Sequence, residues 1–73
     1  MAKVKHCLNT GCTKYILLDD GRCVETPLEK CSPKTWSDKE HAQWHDIVRE
    51  TTQAIKVNMP VLQDVKVGDD IKL

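Results

Sequence analysis

The sequence predicts a small α+β domain in which an antiparallel sheet is covered by one amphipathic helix. Three patterns predict this fold class: a hairpin signal over residues 13–26, a capped helical pattern over 37–57, and two alternating runs within 61–73. The chain has 73 residues, and a chain this short leaves so much surface exposed that its hydrophobic core is thin. We therefore expect residues 1–73 to form a single small domain with a basic N-terminal arm.

The hairpin is predicted by the dipeptide Asp20-Gly21, which lies between two runs of β-prone residues. Asp-Gly favours a tight turn between antiparallel strands because glycine accepts a positive φ angle. We expect strands near residues 13–18 and 22–26. Pro27 follows and pushes its predecessor toward extended geometry, which ends the regular structure.

The helix is predicted by its caps and by an apolar stripe. Ser37 and Glu40 form a capping-box pair, in which each side chain accepts from the other residue's backbone N–H. Residues at helical spacing then form one stripe that faces the sheet. They are Trp44, Ile47, Val48, Thr51 and Ile55. Asn58 and Pro60 end the pattern, so we expect one helix over 37–57.

The C-terminal residues predict two further short strands. Residues 65–67 and 71–73 each alternate between apolar and polar side chains, and Gly68-Asp69 lies between them as a turn. We expect these strands, within 61–73, to complete the antiparallel sheet.

Charge is balanced over the whole chain but not along it. The chain has eleven basic and eleven acidic residues, and this zero net charge argues against a protein that coats nucleic acid by bulk electrostatics. The N-terminal segment, by contrast, has basic side chains and no acidic one up to residue 14. We expect it to contact a locally acidic partner, with ordinary solvated lysines as the alternative. The candidate partner-binding residues in it are Lys3, Val4, Lys5, His6 and Lys14.

Trp36 is a further candidate for partner binding. Tryptophan is enriched at protein interfaces, and this one stands immediately before the predicted helix cap. Two interpretations stay open: an exposed anchor for a partner, or a staple that packs against the first helical turn.

Four cysteines are the candidate metal ligands. Cys7, Cys12, Cys23 and Cys31 have the spacing C-x4-C-x10-C-x7-C. Zinc takes four tetrahedral sulfur or nitrogen ligands, and the first pair, with Gly11 in its turn, fits one half of such a site. The second pair is wider apart than is usual. One structural zinc ion is therefore one interpretation, and reduced, partly buried thiols or disulfides are the others.

No pattern indicates a membrane span, secretion or catalysis. The longest apolar run is residues 16–18, and no apolar stretch follows the first lysines, so we expect a cytoplasmic protein, a setting in which disulfides are rare. His41 and His45 share one side of the helix, but Ala42 replaces the glutamate that a zincin site needs. We predict a non-enzymatic protein with no catalytic residue and no small-molecule substrate.

The opening residues 1–12, the Leu-Leu-Asp-Asp-Gly-Arg hairpin and the polar helix resemble small phage-encoded regulators of host RNA polymerase, of the type found in a Xanthomonas-infecting phage. The resemblance implies a protein that docks on polymerase near its RNA exit channel and displaces the promoter-specificity factor. It also implies that terminator hairpins are prevented from forming. Inhibition of promoter-dependent initiation and antitermination in the host cytoplasm are the activities that follow.

Two functional hypotheses from different classes result. The first is a regulator that binds RNA polymerase, with contacts to nucleic acid bound there. The alternative is a zinc-stabilised module that binds nucleic acid on its own. Free-standing nucleic-acid binders are usually basic, so the zero net charge favours the first hypothesis.

Overall fold

A computed structural model of the chain describes residues 2–58 and 64–71. Within these residues, one helix and five strands form an α+β fold, which confirms the predicted class. The elements in chain order are β1 Ala2–Asn9, β2 Thr13–Leu18, β3 Arg22–Pro27, α1 Asp38–Glu50, β4 Gln53–Lys56 and β5 Asp70–Ile71.

The sheet is mixed, and this corrects the prediction of a purely antiparallel one. Its strand order is β4-β3-β2-β1-β5, with antiparallel pairs throughout except between β3 and β4, which are parallel. Two parallel neighbours need a crossover connection, and α1 lies within that connection. The helix therefore links two strands of the sheet as well as covering one face.

The predicted hairpin is confirmed as β2 and β3. Leu17 is paired with Cys23 next to the turn, and Gly21 has a φ of 95°. The Asp20 carboxylate accepts hydrogen bonds from the backbone N–H of Arg22 at 3.0 Å and from its side-chain Nε at 2.6 Å. The turn is thus held by local interactions, which explains why the sequence predicts it.

The N-terminal segment is not a free arm, because it forms strand β1 between β2 and β5. Val4 is paired with Leu18 and His6 with Leu17, so Lys5 is an extra residue in the strand. This is a β-bulge, and it reverses which face of the sheet the even-numbered side chains of β1 point to. Ala2 and Val4 therefore pack on one face of the sheet, whereas Leu8 packs on the other.

The helix begins as predicted but ends earlier. Both halves of the capping box between Ser37 and Glu40 are present. The helix ends at Glu50 and not near residue 57, and residues 53–56 form β4. Pairing with β3 is the reason, because Ile55, predicted on the helical stripe, lies beside Val24 in the sheet.

The predicted C-terminal strands are only partly present. Residues 70 and 71 form β5, which is paired with residues 2 and 3 of β1. Residues 65–67, predicted as a strand, are irregular and lead into a turn. Residues 61–63, 72 and 73 lie outside the described residues.

Each face of the sheet has its own buried cluster. The helix-side core, packed against α1, consists of Leu8, Leu17, Cys23 and Ile47. The opposite core consists of Ala2, Val4, Ile16, Leu18, Val24 and Ile71. Partly buried Val57 and Val65 pack against the opposite core, so chain segments on both sides cover the sheet.

Candidate functional site

The predicted partner-binding residues of β1 lie in very different environments. Val4 is 2% exposed in the opposite core, which corrects the expectation that its side chain meets a partner. Lys3 and Lys5 are exposed, and His6 is half-buried. Lys3 stands beside Asp70 in the register between β1 and β5, so its charge has an acidic neighbour on the adjacent strand.

Lys5 and His6 meet the C-terminal residue of α1. The Lys5 ammonium donates a hydrogen bond to one oxygen of Glu50, and His6 Nε2 lies 3.4 Å from the other. The hydrogen bond from Lys5 is the largest cause of a lowered pKa of the Glu50 carboxyl. These contacts connect the bulge of β1 to the end of the helix and place an acid beside the two basic groups.

Lys14 is buried, which corrects its assignment to a partner-binding surface. Its Nζ donates to the Val65 carbonyl oxygen at 2.7 Å, and the Cys7 thiol lies 3.6 Å from the same oxygen. Both side chains therefore hold the segment around residue 65 against the sheet. Burial raises the pKa of the Cys7 thiol, which keeps it protonated at neutral pH.

The four predicted zinc ligands are not assembled. Cys12 and Cys31 form a disulfide, whereas Cys7 and Cys23 are free thiols. Cys7 packs against the opposite core and Cys23 belongs to the helix-side core, so the sheet separates the two thiols. Within residues 2–58 and 64–71, no group of three or more His, Cys, Asp or Glu side chains is arranged to hold a metal.

The disulfide fastens an irregular loop to the turn between β1 and β2. The loop comprises residues 28–37 and leads into α1. Two backbone hydrogen bonds reinforce the link: Leu28 N–H donates to the Cys12 carbonyl at 2.9 Å and Ser32 N–H donates to the Gly11 carbonyl at 2.8 Å. The loop thereby has a fixed position just before the helix cap.

Aromatic rings form a continuous cluster at the start of α1. Trp36 lies 5.3 Å from His41 and 5.7 Å from Trp44, and Trp44 lies 4.9 Å from Tyr15, measured between ring centroids. Trp36 precedes the cap and His41 is the fourth helical residue, which is the geometry of a staple. Trp36, Trp44 and Tyr15 are each half-buried, so parts of these rings reach solvent.

A groove lies over strands β2, β3 and β4, and α1 forms a wall of one part of it. It consists of two cavities, of about 520 and about 230 Å³, that both include Tyr15 and Glu25 in their walls. The larger cavity has a polar side, formed with Thr13, Lys56 and Asn58. The smaller one is mainly apolar and is also lined by Cys23, Trp44, Ile47, Val48, Thr51 and Ala54. We call these two cavities the docking groove.

The groove offers contact surface and hydrogen-bonding groups, but poor nucleophiles. Burial raises the pKa of the Cys23 thiol at its base. Burial, followed by the charge of Glu25, raises the pKa of the Tyr15 phenol, which stays protonated as a hydrogen-bond donor. Glu25 and Lys56 lie side by side on β3 and β4 and give the groove a dipolar region.

Sequence reasoning missed most residues of the docking groove. Tyr15 and Glu25 could have been paired from the hairpin turn, since counting five residues outward from Asp20 in each direction places them opposite each other. Ala54 and Lys56 could not have been assigned to the groove from the sequence, because the residues around them have helical periodicity.

Comparisons with protein-family models, with curated proteins and with solved structures found no match to this chain. The helix of the described region is too short and too polar to cross a membrane.

Proposed function

We propose that this chain is a non-enzymatic regulator that binds bacterial RNA polymerase in the host cytoplasm, inhibits promoter-dependent initiation and promotes antitermination. The docking groove is the observation that carries the binding part of this proposal. The resemblance of residues 1–12 and of the hairpin to phage-encoded regulators supplies the identity of the partner.

The composition of the groove fits a protein partner. Trp44 and Tyr15 provide rigid aromatic area, and Val48, at 56% exposure, is one of the most exposed large apolar side chains described. Aromatic anchors surrounded by polar groups are typical of the energetically important centre of an interface. Glu25 and Lys56 add polar groups that can select a partner's charges.

The non-enzymatic part of the proposal is supported by the state of the free thiols. Cys7 and Cys23 are the free cysteines of the described region, and burial raises the pKa of both. A thiol must lose its proton to act as a nucleophile, so neither is activated. The zinc-dependent alternative finds no support in the described residues, because Cys12 and Cys31 are bonded to each other.

Lys3, Lys5 and His6 stay proposed as secondary contacts with polymerase or its bound nucleic acid. They lie on a strand and not on a flexible arm, so their positions are fixed before binding. Charges at the rim of an interface act mainly on the association rate and are screened by salt.

The test is a titration of the chain against purified RNA polymerase from a Xanthomonas host, with initiation and terminator read-through measured in parallel. Val48→Glu places a charge in the groove, and His45→Glu places the same charge at an exposed helix position that does not line it. We expect Val48→Glu to weaken binding about tenfold and to reduce both activities, while His45→Glu has little effect.

Two results would contradict the proposal. Absence of binding by the wild-type chain would exclude polymerase as the partner. Equal affinity of folded Val48→Glu and wild type would exclude the docking groove as the binding surface.

A further inference from the structure

We infer, on the basis of the proposed function, that the partner contributes an extended segment that is added as a strand to the outer edge of β4, next to the docking groove. The strand order places β4 at one end of the sheet, and no described residue pairs with its outer side. A sheet edge exposes a row of backbone donors and acceptors that an extended peptide can use.

The parallel register with β3 fixes which backbone groups point outward. Val57 N–H donates to the Glu25 carbonyl at 2.9 Å, and Gln53 N–H lies 3.4 Å from the Gly21 carbonyl. Successive residues of a strand direct their backbone groups to alternate sides, so residues 53, 55 and 57 bond toward β3. The N–H and C=O groups of Ala54 and Lys56 consequently face away from the sheet.

The same two residues line the docking groove with their side chains. Ala54 borders the smaller, apolar cavity, and Lys56 borders the larger, polar one. A strand beside β4 therefore has every second side chain over the groove. The small side chain of Ala54 leaves space for a bulky apolar residue against Trp44 and Val48.

The charge of Lys56 indicates which side chain the added segment has at a second position. Lys56 is exposed and forms no ion pair within the described part of the chain. An acidic side chain on the added strand next to Lys56 supplies the opposite charge. The occupant is therefore an extended protein segment in which an apolar residue stands two positions from an acidic residue, since such residues share one face.

Ala54→Pro tests strand addition directly. Proline removes the outward N–H of residue 54 but leaves the donors of residues 53, 55 and 57 in place. Ala54→Ser is the matched control, because it keeps the N–H and a small side chain. Both folded variants and the wild type are titrated against purified Xanthomonas RNA polymerase and against peptides selected on the wild type from a displayed library of random linear peptides.

We expect Ala54→Pro to bind polymerase and the selected peptides about tenfold more weakly, while Ala54→Ser binds like the wild type. The peptides should share an apolar residue two positions from an acidic one. Equal binding by folded Ala54→Pro, or a selection that returns no peptide, overturns strand addition.

Hydrogen exchange of the wild type decides the matter if Ala54→Pro does not fold. Bound peptide should slow exchange of the amides of residues 54 and 56, and unchanged exchange overturns the inference. A wild-type chain that ignores polymerase but binds peptides along β4 refutes the proposed function alone. A wild-type dimer that Ala54→Pro converts to a monomer shows that a second copy occupies the edge, which also overturns the inference.

Discussion

Cys12 and Cys31 are joined by a disulfide that fastens the β1–β2 turn to the loop before α1. Trp36 is the next-to-last residue of this loop, and its indole contacts Trp44 and packs against the helix-side core. Only residues 32–35 separate the disulfide from Trp36 in the aromatic cluster, although neither sulfur lines the docking groove. We therefore expect the disulfide to affect both the stability of the fold and the position of Trp36.

The first prediction concerns the disulfide. Cys12→Ser with Cys31→Ser should lower the free energy of unfolding by about 3 kcal/mol, because the unfolded chain regains the freedom of a closed loop of roughly 20 residues. Urea unfolding followed by tryptophan fluorescence measures this change. A thiol reductant should destabilise the wild type and leave the double variant unaffected, and a wild type that does not respond to reductant would contradict the assignment.

The second prediction concerns Gly11, at the point where the loop meets the turn. Its φ is +96°, and a Cβ added there would lie 2.1 Å from the backbone oxygen of Ser32. Gly68 has a nearly identical φ of +95° but open space around the same position. Gly68→Ala should thus cost only the strain of its backbone, on the order of 1–2 kcal/mol. Gly11→Ala should cost clearly more in the same urea assay, and equal losses would show that the loop does not pack on Gly11.

Local signals account for the parts of the fold that the sequence predicts. The Asp20-Gly21 turn and the Ser37–Glu40 capping box are each closed by neighbours within three residues, and both are confirmed. The α+β class follows from them. One of the two interpretations of Trp36, the staple, also depends on nearby residues, and its contact with His41 agrees with it.

Long-range pairing decides the parts that the sequence does not predict. Ile55 has helical spacing from Ile47 and Trp44, so local periodicity extends the helix; only the pairing with β3 converts residues 53–56 into a strand. The bulge at Lys5 interrupts the regular alternation of side chains between the two faces of β1, so the sequence indicates a basic arm and not a strand. The docking groove needs α1, β3 and β4 in place together, which is why most of its residues were missed.

The third prediction concerns Glu50 and acid stability. The Lys5 hydrogen bond lowers the pKa of the folded Glu50 carboxyl below its ordinary value of 4.5. The stabilisation of the folded state by the ionised Glu50 carboxyl is therefore complete above the ordinary pKa. It is lost as the pH falls through the lower pKa of the folded state. Glu50→Gln should reduce stability at pH 7 and flatten its decline in acid, and the two proteins should become similar once the pH lies below the folded pKa of Glu50.

Glu29→Gln is the matched control for this prediction, since Glu29 is exposed and forms no ion pair with a described residue. Part of the acid sensitivity should survive in Glu50→Gln. Asp20 and Glu40 also have lowered pKa values, caused first by the Arg22 backbone N–H and by the Lys34 side chain, respectively. Parallel stability–pH curves for Glu50→Gln and the wild type would show that the Lys5 contact does not form.

The fourth prediction concerns Thr26, on the opposite-core side of β3. The residue is fully buried, and its Oγ1 has no hydrogen-bond partner among the described residues. A buried hydroxyl without a partner loses its bonds to water and gains nothing in exchange. Thr26→Val replaces the hydroxyl with a methyl group of similar shape, so the free energy of unfolding should rise by about 1 kcal/mol.

Thr26→Ser is the control, because it keeps the hydroxyl and deletes the methyl, and it should lower the free energy of unfolding. Urea denaturation of the two variants beside the wild type separates the effects. A loss of stability in Thr26→Val would contradict the prediction, because it would mean that the Thr26 hydroxyl forms a hydrogen bond in the folded protein.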